Sequence, residues 1–339
     1  MGLAKKKSKD DSREILIDRK ELMSYYEKEI VPTFASLEKF RTKYVRSGAI
    51  ALSSLIIGVV GFILYDQQIL FPGSDIVLSL NGAGLISTIF VYNLFYYLKS
   101  KLEASDQMKE KIVRKIIKKM NKDFEYYPDE SVDESMFVQS KIFPETDEFD
   151  GDDFISGRIG SSEFNFSEVH ANNIEEYCDQ NNRRSERDIP VFDGIFLHAK
   201  INFNFNGETV ILPNNFKTKV SSLMSDFLGR SSICSENNKF VTNNTNFDER
   251  FVVFCTDVNE SKAVLSENIL NTILKLHSNL SRKESCFISF TEHGLNIAFE
   301  TSDIFEVSGR GDIFDIGDIE KIFNLLDIVQ NVSIEFENE

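Results

Sequence analysis

Ser47–Tyr65 reads SGAIALSSLIIGVVGFILY, nineteen residues without a charge, and Ile76–Leu98 reads IVLSLNGAGLISTIFVYNLFYYL, twenty-three more. As a helix the first would extend about 28 Å, close to the roughly 30 Å of a bilayer's hydrocarbon core. The connection Asp66–Asp75 is short, holds Pro72-Gly73 and has no Lys or Arg. Outside the pair, basic residues gather on both sides: Lys39, Arg41, Lys43 and Arg46 before it, Lys99 and Lys101 after it. The positive-inside rule therefore places both flanks in the cytoplasm and the connection outside. Tyr65, Phe71, Tyr92, Tyr96 and Tyr97 fall near the two interfaces, where amphipathic rings are favoured. A secretory signal is not expected, because 46 residues precede the first apolar run. Ser54, Gly58 and Gly61, with Gly82, Ala83, Gly84 and Ser87 opposite, are small enough for two helices to approach closely. Asn81 and Asn93 are amides suited to hydrogen bonding within the pair.

Charge divides along the same lines. Residues 1–46 hold 12 Lys/Arg against 8 Asp/Glu, residues 99–122 hold 9 against 3, and residues 123–339 hold 17 against 41. The net charge of −16 thus joins a basic, membrane-flanking third to a strongly acidic remainder. An acidic domain repels phosphate backbones, so no nucleic-acid partner is expected. The lysines of Met1-Gly2-Leu3-Ala4-Lys5-Lys6 read as a basic tail near anionic lipid, without the Ser/Thr of a myristoylation signal. Between Lys99 and Lys122, Leu102, Met108, Ile112, Ile116 and Met120 recur mostly four apart, which is helical. Ile30, Phe34, Leu37 and Tyr44 mark a matching stripe upstream, so the two are expected to form a helical stalk.

After Tyr126-Tyr127-Pro128 the pattern turns acidic, Phe-rich and alternating. Ile195, Leu197, Ala199, Ile201, Phe203 and Phe205 share one face of a strand, and Asn206-Gly207 followed by Glu208–Leu212 predicts a hairpin. Cys286–Phe290 and Leu295–Glu300 predict a second hairpin, Ile155–Ile159 and Phe164–Val169 a third pair, and Phe251–Cys255 a buried strand. Leu265, Ile269, Ile273, Leu276 and Leu280 predict a helix behind Ser261 as N-cap. Ile319, Ile322, Phe323, Leu326 and Val329 predict another. The polar stretches Asp179–Asp188 and Ser235–Asp248 read as surface loops. The fold class is α+β: a two-span transmembrane helical hairpin with a helical stalk, then an antiparallel-sheet domain. Its divisions are 1–46, 47–65, 66–75, 76–98, 99–122 and 123–339.

No catalytic constellation stands out, and the reading is of a non-enzyme. His170, His198, His277 and His293 lack metal spacing, and Cys178, Cys234, Cys255 and Cys286 form no CxxC pair. His198 reads as exposed, and Cys255 and Cys286 as buried reduced thiols. Four cysteines in 339 residues exclude a disulfide scaffold. Asn202-x-Asn204-x-Asn206-Gly207 resembles half a calcium loop, but Pro213 stands where the closing Glu belongs. Asp150, Asp152 and Asp153 read as a solvated acidic turn. Gly151, Gly157 and Gly160 fit no phosphate cradle, and Arg310-Gly311-Asp312 is a chance tripeptide. No cofactor and no metal is expected. Asp152, Gly157, Phe192 and Gly194 are the residues to test first, with turn glycines and a cap-like Asp as the structural explanation.

Several strings, in order, resemble the bacterial family catalogued as domain of unknown function 3137. They are Phe137-Val138-Gln139-Ser140-Lys141-Ile142-Phe143, Asp150-Gly151-Asp152-Asp153-Phe154-Ile155-Ser156-Gly157, Val191-Phe192-Asp193-Gly194-Ile195-Phe196, Phe251-Val252-Val253-Phe254 and Cys286-Phe287-Ile288-Ser289-Phe290. Asp193 departs from the Lys usual before that glycine in such families. The resemblance implies a protein of the bacterial inner membrane facing the cytosol, with no activity to carry over and a LemA-like membrane protein as a partner. Together the readings give a multi-pass protein with both termini cytoplasmic, bound to the lipid bilayer, whose acidic domain binds a protein partner. The alternative is a membrane-anchored enzyme or small-ligand sensor with a pocket in 123–339.

Overall fold

The computed structural model describes residues 16–66, 76–178, 183–201, 205–214, 216, 222–281, 284–301, 304–306 and 316–337. The basic tail, the connection 67–75, most of the half calcium loop and Arg310-Gly311-Asp312 lie outside the described residues. Two compact units emerge, one drawn from the described residues of 23–66, 76–116 and 305–306, the other from the remaining described residues.

Helix α1 (Arg19–Tyr25) passes through a π-turn at Tyr26–Ile30 and a 3-10 turn at Val31–Thr33 into α2 (Phe34–Asp66). Pro32 sits in the 3-10 turn, where its missing N–H breaks the regular ladder. Helix α3 (Ile76–Met108) likewise continues through a π-turn at Lys109–Val113 into α4 (Arg114–Met120). The stalk stripes are thus helical, and Ile30, Leu37, Met108, Ile112, Ile116 and Met120 are buried.

Within the first unit α2 and α3 run antiparallel. Tyr44 meets Tyr97 edge to face at 6.1 Å, Gly48 lies under the Tyr97 ring and Gly58 faces Ile86. Buried positions Tyr44, Ser47, Ala51 and Ser54, then half-buried Gly58 and Gly61, recur three and four apart. That spacing is the seam of two helices packed side by side. The small-residue expectation holds on α2; on α3 the two small residues whose side chains are described do not meet it. Gly84 and Ser87 point outward, while Ile86, Phe90, Asn93 and Tyr97 line the inner side. The amide of Asn93 turns back on its own helix, donating to Ile89 O at 2.9 Å, and the side chains of Asn81, Gly82 and Ala83 lie outside the described residues. Away from the seam the helices present apolar side chains, including Ile57, Phe62, Tyr92 and Phe95. One helix among the described residues, Arg19–Leu64, is long and apolar enough to cross a membrane by length and composition.

The second unit is an antiparallel sheet with helices on it, as the α+β reading expects. Its strands are β1 (Glu125–Tyr127), β2 (Glu148–Ile159), β3 (Ser162–Cys178), β4 (Arg184–Lys200), β5 (Thr209–Pro213), β6 (Lys239–Phe240), β7 (Phe251–Cys255), β8 (Cys286–Thr291) and β9 (Gly294–Glu300). Among the described residues they form one sheet in the order β1-β2-β3-β4-β9-β8-β5-β7-β6. Its helices are α5 (Glu134–Gln139), α6 (Ser222–Arg230), α7 (Thr245–Asp248), α8 (Val258–Val264), α9 (Glu267–Ser278) and α10 (Ile316–Glu337). On one face a phenylalanine cluster forms around Phe137, which stacks on Phe143 at 4.2 Å and meets Phe196 edge-on at 5.3 Å. On the other, α9 and α10 pack together and α10 reaches β2 and β3.

The β8–β9 hairpin, the β2–β3 pair and the buried strand β7 follow the sequence expectations. The hairpin over Asn206-Gly207 does not form. β4 ends at Lys200 and pairs with β3 and β9, whereas β5 pairs with β7 and β8. Alternation marks a strand but not its neighbour, and here β9 and β8 separate β4 from β5. The N-cap of α9 is Ser266, whose Oγ accepts from Ile269 N at 3.3 Å. Ser261 lies inside α8, which Asp257 caps. Neither polar stretch is a plain loop: residues 184–188 belong to β4, and 236–248 carry a 3-10 turn, β6 and α7 with buried Phe247.

Candidate functional site

The acidic string Asp150–Asp153 sits in β2, where one extra residue between Asp152 and Ile155 makes a bulge against β3. A bulge bends its strand and re-aims side chains. Asp153 takes the extra position with φ 58°, and it is buried rather than solvated. Its carboxylate accepts from Tyr126 Oη, and its N–H donates to Pro128 O at 3.1 Å. The expected solvated turn is therefore a strand bulge whose three carboxylates part company. Asp150 Oδ1 accepts from the neighbouring Gly151 N at 2.8 Å. Asp152 lies opposite Glu168 in the strand register.

On β3, Glu168 and His170 are two residues apart and so share a face. Asp152, Glu168 and His170 bring one potential ligand atom each to within 4.8 Å of one another. Glu168 is only 4% exposed, and its Oε1 accepts from Ile304 N at 2.8 Å. His170 lies opposite Asp193 of β4, with Nδ1 2.9 Å from Asp193 Oδ1. Val169, between the two β3 residues, points into the phenylalanine cluster. The site is therefore built on the opposite side of a strand that is anchored in the core. One imidazole nitrogen and two carboxylate oxygens form a donor set that a divalent metal ion accepts. His170 and Glu168 escape sequence motifs because their partners stand on neighbouring strands; the only local signal is Glu-x-His in an alternating strand.

Of the residues singled out from the sequence, Asp152 alone joins this cluster. Gly157 makes room for Phe124, whose ring meets Phe164 edge-on at 4.9 Å and would strike any Cβ at Gly157. Phe192 is buried against Phe143 at 4.8 Å. Gly194 has φ +155°, and a Cβ there would strike the carbonyl of Phe299 on β9.

A second polar group lies on the phenylalanine face. His198 is half-buried, with Nδ1 2.8 Å from Asn296 Oδ1; Asn296 Nδ2 donates to Ser289 Oγ at 3.1 Å, which donates to Ser140 O at 2.6 Å. Burial lowers the His198 pKa, against the bond to Asn296 and with a smaller contribution from His293. This histidine, expected on an exposed face, instead starts a buried chain that fixes the turn after α5. Cys255 and Cys286 are buried free thiols, and burial pushes Cys286 up to about 12, far from a reactive thiolate.

No curated protein and no solved structure matches the chain. Residues 190–337, from within β4 through α10, match the family described as Protein of unknown function (DUF3137), the family that the strings quoted above resemble.

Proposed function

We propose that the chain is a two-span protein of the bacterial inner membrane, with both termini in the cytoplasm, whose acidic sheet unit binds a protein partner at the membrane face. The observation that carries this reading is the outward aspect of α2 and α3. Phe62 is 70% exposed, Phe95 66% and Ile57 61%, while small and polar residues such as Ser47 and Ser54 face the seam. In water that arrangement leaves a large apolar surface uncovered; in lipid it is the expected one. The Lys and Arg flanks set the orientation. A protein partner is favoured over a nucleic acid by the acidic charge, and the family resemblance points to a LemA-like membrane protein.

Topology is tested by single-cysteine labelling from outside intact cells. A probe in 67–74 should react, and probes at Ser8 and Asn338 should not; labelling at either terminus refutes the orientation. For the partner, full-length chain in detergent should retain a membrane protein at fixed stoichiometry that a chain lacking 123–339 does not retain.

The sensor or enzyme reading has two observations of its own. One is the Asp152–Glu168–His170 cluster. The other is an open groove of about 780 Å³ lined by Lys141, Glu208, Asp226, Arg230 and Ser232 among others. A small molecule copurifying in place of a protein would favour it.

A further inference from the structure

We propose that Asp152, Glu168 and His170 bind one divalent first-row transition-metal ion, of the Zn²⁺ or Mn²⁺ class. The donor set comes first. Ligand bonds of about 2.1 Å at tetrahedral or octahedral angles put neighbouring donors on one ion roughly 3.0–3.4 Å apart. The three side chains already hold theirs within 4.8 Å of one another, so a contraction of at most about 1.4–1.8 Å, within reach of side-chain rotations, closes the site on an ion.

The scaffold is the second part of the argument. All three residues stand on paired strands rather than on a loop. Asp152 faces Glu168 across one rung, and His170 stands one alternation further along β3. Asp152 is aimed by the bulge, whose next residue is locked by Tyr126 and by Pro128 O. Gly151 allows the close approach: a Cβ there would strike the carbonyl of Glu168.

Third, the imidazole has a carboxylate behind it. Asp193 Oδ1 lies 2.9 Å from His170 Nδ1, the kind of pairing that fixes the tautomer and orientation of a metal-binding histidine and raises its basicity. The cation would also offset the mutual repulsion of Asp152, Glu168 and Asp193 on three adjoining strands. The nitrogen donor separates the proposal from a calcium or magnesium site, which would take oxygen ligands throughout. Three protein donors leave coordination positions for water or a substrate group, so the same ion would serve a sensor or a hydrolytic centre.

The test uses the untagged full-length chain in detergent, with Zn²⁺, Mn²⁺ and Co²⁺ titrated in turn and Co²⁺ followed by its visible absorption. One ion per chain is expected. His170→Ala, at a side chain 40% exposed, should keep the native circular dichroism and weaken binding at least about tenfold. Asp152→Asn should do the same and alter the Co²⁺ spectrum. Asp193→Asn, which removes a positioning residue, should cost about 10–100-fold. His293→Ala, at an exposed histidine elsewhere, should change nothing. Failure of all three metals to bind at unit stoichiometry, or equal affinity in wild type, His170→Ala and Asp152→Asn, would overturn the site.

Discussion

Truncating Phe137 to alanine strikes the centre of the phenylalanine cluster. The ring has no exposed surface and four aromatic neighbours: Phe143 at 4.2 Å, Phe149 and Phe196 at 5.3 Å and Phe192 at 5.9 Å. Removing a buried Phe costs about 3–5 kcal/mol through lost transfer energy and the cavity left behind. The stacked and edge-on partners place this site in the upper half of that range. Against a typical stability of about 5–15 kcal/mol, the loss is about a quarter or more of the total. The sequence has no tryptophan, so a thiol is the better reporter. Cys286 is fully buried one residue from Phe287, whose ring lies 6.0 Å from Phe143. Its labelling requires the sheet to open, and where reclosing is fast the rate follows the opening free energy. At about 1.4 kcal/mol per factor of ten, labelling of Cys286 should accelerate by roughly three to three and a half orders of magnitude. Exposed Cys178 should label at one rate in both proteins and serves as the internal reference. An acceleration below about fivefold would refute the view that this ring anchors the cluster.

Gly194→Ala should destabilise the sheet unit by at least about 2 kcal/mol in urea melts, since it adds backbone strain to a clash with Phe299 O. Gly229→Ala in α6, with nothing within 4 Å of the new methyl, should be neutral or stabilising; equal effects at both positions would count against the reasoning. His198 has a folded-state pKa below its usual 6.5 because it is buried, so the unfolded chain binds the proton more readily. Its contribution is complete above about pH 6.5 and is lost as pH falls through the lower, folded value, at up to about 1.4 kcal/mol per pH unit. His198→Gln should flatten the stability profile in that window, and curves that stay parallel below pH 6.5 would refute the assignment.

What was legible in the chain follows from how far each signal reaches. Cys286–Glu300 folds as read, because Glu292-His293 closes two alternating runs over a distance the sequence itself spans. The helical stripes of α4, α9 and α10 were visible for the same reason. β5 was recognisable as a strand, yet its neighbours are β7 and β8, set by packing some forty to eighty residues away. The α9 cap shows the limit at short range: Ser261 and Ser266 both precede apolar periodicity, and only the break between α8 and α9 chooses Ser266. The candidate site was half visible. Asp152 drew notice through its carboxylate neighbours, but its companions in space are Glu168 and His170, and strand register alone introduces them. Asp193, a departure from the family pattern, faces His170 from the neighbouring strand.

The sheet unit also gathers both ends of the described chain. Leu16 N donates to Gln330 Oε1 at 2.9 Å, Arg19 pairs with Glu320 at 2.6 Å and Ile17 N donates to Met120 O at 3.1 Å. Synthesis is vectorial, so these contacts impose a schedule. Residues 16–22 emerge before the sheet and wait some three hundred residues for α10. β5 waits likewise until β7 and then β8 have been made. Such long-range closures fold slowly and leave apolar edges open meanwhile. The unit therefore cannot be completed while the ribosome still holds α10, and a truncation or a stall within α10 should yield an unfinished sheet, a substrate for quality-control proteases.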